Sequence, residues 1–102
     1  MGGLSESART MKPIRFSHHA RLQAKLRGAG EAEIIEVIQS APWESAEQAR
    51  HQARKVFPFG MPSPVNQQTY DFKTVHAIFV EEEQEIVVVT ILVYYWNSEA
   101  AQ

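Results

Sequence analysis

Residues 70–96 read YDFKTVHAIFVEEEQEIVVVTILVYYW, and the fold turns on how they are read. Tyr70–Val80 and Ile86–Trp96 are dominated by β-branched and aromatic residues, which suit a pleated, half-buried surface. The charged tract Glu81–Glu85 between them reads as the tip of an antiparallel hairpin. Under strict alternation, Ile86, Val88, Leu92, Tyr94 and Trp96 share one side of the second strand, and Val87, Val89, Ile91, Val93 and Tyr95 the other. Both sides are apolar, so the strand is expected inside a sheet covered on both faces. The same run is broken by Thr90 and falls short of the roughly 20 residues a membrane-spanning helix needs, so no span is expected.

Upstream, Lys55-Val56-Phe57 before Pro58 looks extended, and residues 60–68, GMPSPVNQQ, read as an exposed loop. The stretch from Glu44 to Lys55 stays open between a helix, favoured by its Ala, Glu, Gln and Arg, and a loop leading into a strand. Earlier still, EAEIIEVIQSAP places Ile34, Ile35, Val37 and Ile38 on a broad apolar face, with Glu31 and Glu33 at the positive end of the helix dipole. FSHHARLQAKLRG offers Ser17 as an N-cap and Leu22 and Leu26, one turn apart, as the inward side of a shorter helix ended by Gly28. These readings give an α+β fold, with two helices packed as a hairpin. The expected boundaries are a flexible tail over 1–13, one domain over 14–97 and a short tail over 98–102. The two helices cover only one sheet face, which leaves the other for a second subunit or a partner protein.

The chain of 102 residues, 44% of them hydrophobic, suits a single modest core. It has no cysteine, which removes disulfides and thiolate chemistry and suits a reducing compartment. The opening MGGLSESARTMKP lacks the apolar core of a signal peptide, so the expected location is the cytoplasm. Net charge is −2, but Lys12–Arg27 holds five cations and no acid, whereas residues 81–102 hold five acids and no cation. An electrically lopsided molecule is the expectation.

Metal chemistry has little support in the pattern. His18 and His19 project about 100° apart on a helix, His51 and His76 are scattered, and there is no HExxH. No GxSxG elbow or phosphate-cradling loop is present, and Glu81-Glu82-Glu83 reads as a solvated tip that discourages edge pairing. What remains is an inventory of cations and aromatics: Arg54, Lys55 and Lys73 near strands, Arg21, Lys25 and Arg27 on the first helix, and Tyr94, Tyr95 and Trp96 near the end. Cations stabilise the charge of a pentavalent phosphate and aromatic rings stack on bases, which suits RNA cleavage without a metal or other cofactor. It suits an ordinary surface equally.

The run RFSHHARLQAKLRGAGEAEIIEVIQSAP, followed by ARKVFPF, YDFKTVHAIFV and EIVVVTILVYY, resembles a group of small bacterial domains allied with RelE/ParE-type toxins. His19-Ala20, Arg27 and Gly28 match that group's opening, with Gln23 in place of its first arginine. Lys55-Val56-Phe57, and Tyr70 with Lys73 and Val75, match later elements. The resemblance implies two N-terminal helices packed on a twisted antiparallel sheet of three to four strands, and a toxin-antitoxin setting in which relatives cleave messenger RNA, often on the ribosome, or inhibit other targets. It further implies Lys55 and Lys73 as phosphate stabilisers, His19 as acid/base or its structural substitute, Arg27 as a phosphate contact and Tyr95 as a weaker candidate; Arg54, from the cation inventory, is a further expected substrate contact. The partners implied are an antitoxin protein, mRNA or the ribosome, and a second copy of the chain. The contrasting reading is a noncatalytic toxin-like domain that binds a partner or itself through its sheet.

Overall fold

A computed structural model describes residues 12–98. Strand β1 (Ile14–Phe16) leads into helix α1 (His18–Arg27) and helix α2 (Glu31–Ser40), followed by β2 (Glu44–Ala46), β3 (Arg50–Pro62), β4 (Thr69–Glu81) and β5 (Ile86–Trp96). The five strands form one sheet in the order β1-β5-β4-β3-β2. The β2–β3, β3–β4 and β4–β5 pairs are antiparallel, and β1 lies parallel to the start of β5 through Ile14–Ile86 and Phe16–Val88. The fold is therefore α+β as expected, but the sheet is mixed and has five strands. A strand also precedes the helices, so they do not form the N-terminal element. The expected tails at 1–11 and 99–102 lie outside the described residues.

Both helices sit on one sheet face. Ile34, Val37 and Ile38 of α2, fully buried, meet Ala53, Val75, Ala77, Phe79, Ile86, Val88 and Ile91 from the strands. Serine 17 caps α1 as its sequence suggests, its Oγ accepting the Ala20 amide at 3.0 Å. At the other end Gly28 takes φ +86, and the amides of Gly28 and Ala29 both donate to the Ala24 carbonyl, which closes the orphan carbonyl of the last turn.

Two local readings are corrected and one left open is decided. The first concerns β5. A bulge between Ile78 and Phe79 leaves Val89 as the extra residue, because Ile78 pairs with Thr90 while Phe79 pairs with Val88. One added residue reverses the alternation beyond it. Ile86 and Val88 therefore share the helix-covered side with Ile91, Val93 and Tyr95, and Leu92, Tyr94 and Trp96 turn to the opposite face.

The second concerns α1, whose inward residues are Ala20, Gln23, Ala24 and Arg27, a stripe at i, i+3, i+4 and i+7. Leu22 and Leu26 point outward, 47% and 72% exposed. The reason is the edge of β5. Gln23 Oε1 accepts the Ile91 amide at 2.9 Å and Arg27 Nη1 donates to the Ile91 carbonyl at 2.6 Å, so α1 turns its polar reach toward an unpaired strand edge and packs there through alanines.

The open one is residues 44–55, which form a strand, a turn and the start of β3. Glu44–Ala46 pairs with Arg50–Gln52 across a turn in which Gln48 and Ala49 both take positive φ, +61 and +58. The fold also pairs off part of the lopsided charge expected from sequence. Parallel pairing of β1 with β5 brings Lys12 to Glu81 at 2.9 Å and Arg15 to Glu85 at 3.1 Å.

Candidate functional site

The six residues singled out from sequence fall into separate environments. Alternation along β3 and β4 puts Lys55 and Lys73 on the helix-covered face, in register with Val75 and Phe57 respectively. Lys73 is buried. Its Nζ donates to the Gly28 carbonyl and to Glu33 Oε1, both at 2.8 Å, and lies 5.3 Å from the Phe59 ring centroid. Glu33 Oε1 also accepts the Gly30 amide at 3.0 Å. Tyr95 donates its hydroxyl to the Arg27 carbonyl at 2.6 Å, and burial, then the nearby Glu33 charge, raise its pKa above the ordinary phenol value. Lys73, Arg27 and Tyr95 are thus brought together, but their polar atoms are spent on the carbonyls and carboxylate that join the helix hairpin to the sheet.

Lys55 is tied elsewhere, to Glu36 and Ser40 of α2. His19 lies exposed on α1. Arg54 is on the opposite face of the sheet, where it pairs with Glu44 at 3.2 Å. No single cleft holds all six.

Among the described residues that opposite face carries no helix, and beside Arg54, Tyr94 and Trp96 it collects Gln52, Phe72, Thr74 and His76, to which the sequence reading gave no role. Alternation along β3 brings Arg50, Gln52, Arg54 and Val56 onto it, and along β4 Phe72, Thr74, His76 and Ile78. Trp96 stacks on Phe72 with ring centroids 4.7 Å apart and donates its indole N–H to Thr74 Oγ1 at 2.9 Å. Tyr94, in register with Thr74, is 52% exposed. His76 sits between Arg54 and Leu92 in register, and its Nε2 lies 2.9 Å from Gln52 Oε1. With that oxygen as acceptor, Nε2 carries the hydrogen and Nδ1 keeps its lone pair. Burial, followed by the Arg54 guanidinium, lowers the His76 pKa, against a smaller opposite pull from Glu44.

Beside this cluster, a groove of about 710 Å³ is lined by Ser45, Arg50, Gln52, Ile78 and the β2–β3 turn. The signal for this site was present in the sequence as alternation, since His76 is an even position of a strand whose odd positions are core. Assigning Tyr94 and Trp96 to the same side required knowing of the bulge at Val89.

Among the described residues no group of three His, Cys, Asp or Glu side chains is arranged to hold a metal ion, and no helix is long and apolar enough to cross a membrane. Comparison with protein-family models, with curated proteins and with solved structures finds no match to this chain.

Proposed function

We propose that this chain is a toxin-like domain that binds single-stranded RNA and cleaves it on the helix-free face of its sheet. The observation carrying this reading is His76, hydrogen-bonded to Gln52 and flanked by Arg54, on a face shared with Phe72, Tyr94 and Trp96. Rings on a sheet offer bases a sequence-tolerant platform, each stack contributing about 1–3 kcal/mol. Arg54 pairs with Glu44 only at the surface, an interaction of about 0–1 kcal/mol that a phosphate can displace.

In the proposed reaction the neutral imidazole takes the proton of a ribose 2′-OH. The 2′-oxygen bonds to the adjacent phosphorus, the bond to the 5′-oxygen breaks, and the leaving oxygen takes a proton from solvent. The products are a 2′,3′-cyclic phosphate and a 5′-hydroxyl. Arg54 and Arg50 offset the charge that grows on the phosphate oxygens. Lys55 and Lys73 hold the fold in this reading and do not touch substrate.

The test is incubation of end-labelled mRNA with the purified protein, with and without translating ribosomes. Cleavage that His76→Ala abolishes and Lys55→Met preserves supports the proposal. Intact RNA in both arms at high protein concentration rejects it.

A second reading has its own support, in which the same face pairs with a second copy and does no chemistry. Val56, Tyr94 and Trp96 are exposed there, on the side that Phe72, Ile78 and Leu92 also share. Three strands about 4.8 Å apart and some ten residues long, at about 3.3 Å each, give a footprint of roughly 14 by 33 Å. That footprint, about 460 Å², is a little over half of the roughly 800 Å² per partner of a standard interface, which suits a weak dimer. A dimer by light scattering that Tyr94→Glu converts to monomer, together with intact RNA, favours this reading.

A further inference from the structure

We propose that the outward surface of α1 docks an acidic amphipathic helix from a partner protein. The surface lies on the helix-covered side of the molecule, away from His76, so its test is independent of the RNA reading. His18, Leu22 and Leu26 follow one another at i, i+4 and i+8, and Arg21 and Lys25 run beside them. The two leucines are 47% and 72% exposed although they are the largest apolar side chains of the helix. Next to them a groove of about 450 Å³ opens toward α2, with Leu22, Ala24 and Ala29 as apolar lining and His18, Arg21 and Lys25 at its rim.

The charge on this surface selects the occupant. Among the described residues the one acid lining the groove is Glu31, which meets Arg21 at 3.7 Å with both side chains more than half exposed. Among the described residues Lys25 and His18 have no acidic partner. A second copy docking here would set cations against cations, which disfavours self-association through this surface. A nucleic acid would answer the cations but leave Leu22 and Leu26 in water, and a bilayer would gain little from two leucines on a helix whose other side is packed on a sheet. A helix carrying apolar residues one turn apart, flanked by Asp or Glu, satisfies both the leucines and the rim. His18 to Leu26 spans about 12 Å at about 1.5 Å per residue, so two turns of the partner suffice.

The probe is a synthetic amphipathic peptide with leucines four residues apart flanked by glutamates, alongside a scrambled version and one with lysine replacing glutamate. Full-length protein is titrated with each by calorimetry, and amide shifts are followed by NMR. Saturable binding of the first peptide is expected, with shifts at His18–Leu26, weakening with added salt. Leu22→Gln and Lys25→Glu, both at exposed positions, should each reduce its affinity by about tenfold or more. The inference is overturned if α1 amides stay still at saturating peptide or if the scrambled peptide binds equally. It is also overturned if phosphatidylserine vesicles or an RNA oligonucleotide move those amides while the peptide does not.

Discussion

Lys73 of β4 and Glu33 of α2 meet at 2.8 Å, 40 residues apart in sequence, with only 7% of the lysine side chain and 31% of the glutamate side chain exposed. The lysine also donates to the last-turn carbonyl region of α1 through Gly28, so one ammonium ties both helices to the central strand. Lys73→Met should lower stability by about 2–4 kcal/mol, somewhat under the range for fully buried pairs because water reaches Glu33. Glu33→Gln should have a smaller effect, and the double variant should fall short of the sum. Urea denaturation of the four proteins measures the coupling, and additive losses would show that the pair does not act as a unit.

How much was legible follows from these contacts. The β4–β5 hairpin, the Ser17 cap and α2 were readable because each rests on local chemistry: β-branched runs, an oxygen at an N-cap, a broad apolar stripe. Lys73 was legible as important but not as structural, because its partners come from 40 and 45 residues away. The orientation of α1 was misread for the same reason, since Gln23 and Arg27 answer a strand edge 64 to 68 residues on. The face of Tyr94 and Trp96 was hidden by one bulged residue, Val89, which no periodicity announces.

The β2–β3 turn should carry strain that can be relieved. Ala49 holds φ +58, where an L-residue with a Cβ is disfavoured by about 1 kcal/mol and glycine is not. Ala49→Gly should therefore stabilise the protein by up to about 1 kcal/mol, raising Tm by several degrees. The reverse holds at Gly28. Its φ is +86 and an added Cβ would press on the Tyr95 hydroxyl and Pro64, so Gly28→Ala should cost about 2 kcal/mol or more. Thermal scans of both variants check the opposite signs.

His76 should make stability fall on acidification through the imidazole range. Burial holds its folded pKa below the unfolded value of about 6.5. The unfolded chain therefore takes up the proton first as pH drops. The His76 contribution is fully present above about pH 6.5 and is lost as pH falls from there through the depressed folded value. His76→Gln should flatten this part of the stability profile, measured by denaturation at several pH values. If RNA cleavage is found, its acid limb should report the same depressed group in the free enzyme. An unchanged stability slope in His76→Gln would remove the linkage.

The edge of β5 supplies the last prediction. At Ile91 the strand presents an amide and a carbonyl outward, and Gln23 and Arg27 occupy them at 2.9 and 2.6 Å. The other long edge, on β3, is blunted differently, by Pro58, Pro62 and a register shift between Pro58 and Met61. Gln23→Ala leaves the Ile91 amide without its side-chain acceptor in a half-buried place, a loss of about 1–2 kcal/mol. Arg27→Ala does the same for the carbonyl and removes packing beneath α1. The double variant should open the strand to pairing with other chains, so size-exclusion chromatography and thioflavin fluorescence should show concentration-dependent aggregation under conditions where the parent protein stays in its native state. A double variant that is merely less stable, with no added self-association, would mean that α1 shields the edge by bulk and that these two hydrogen bonds do not guard it.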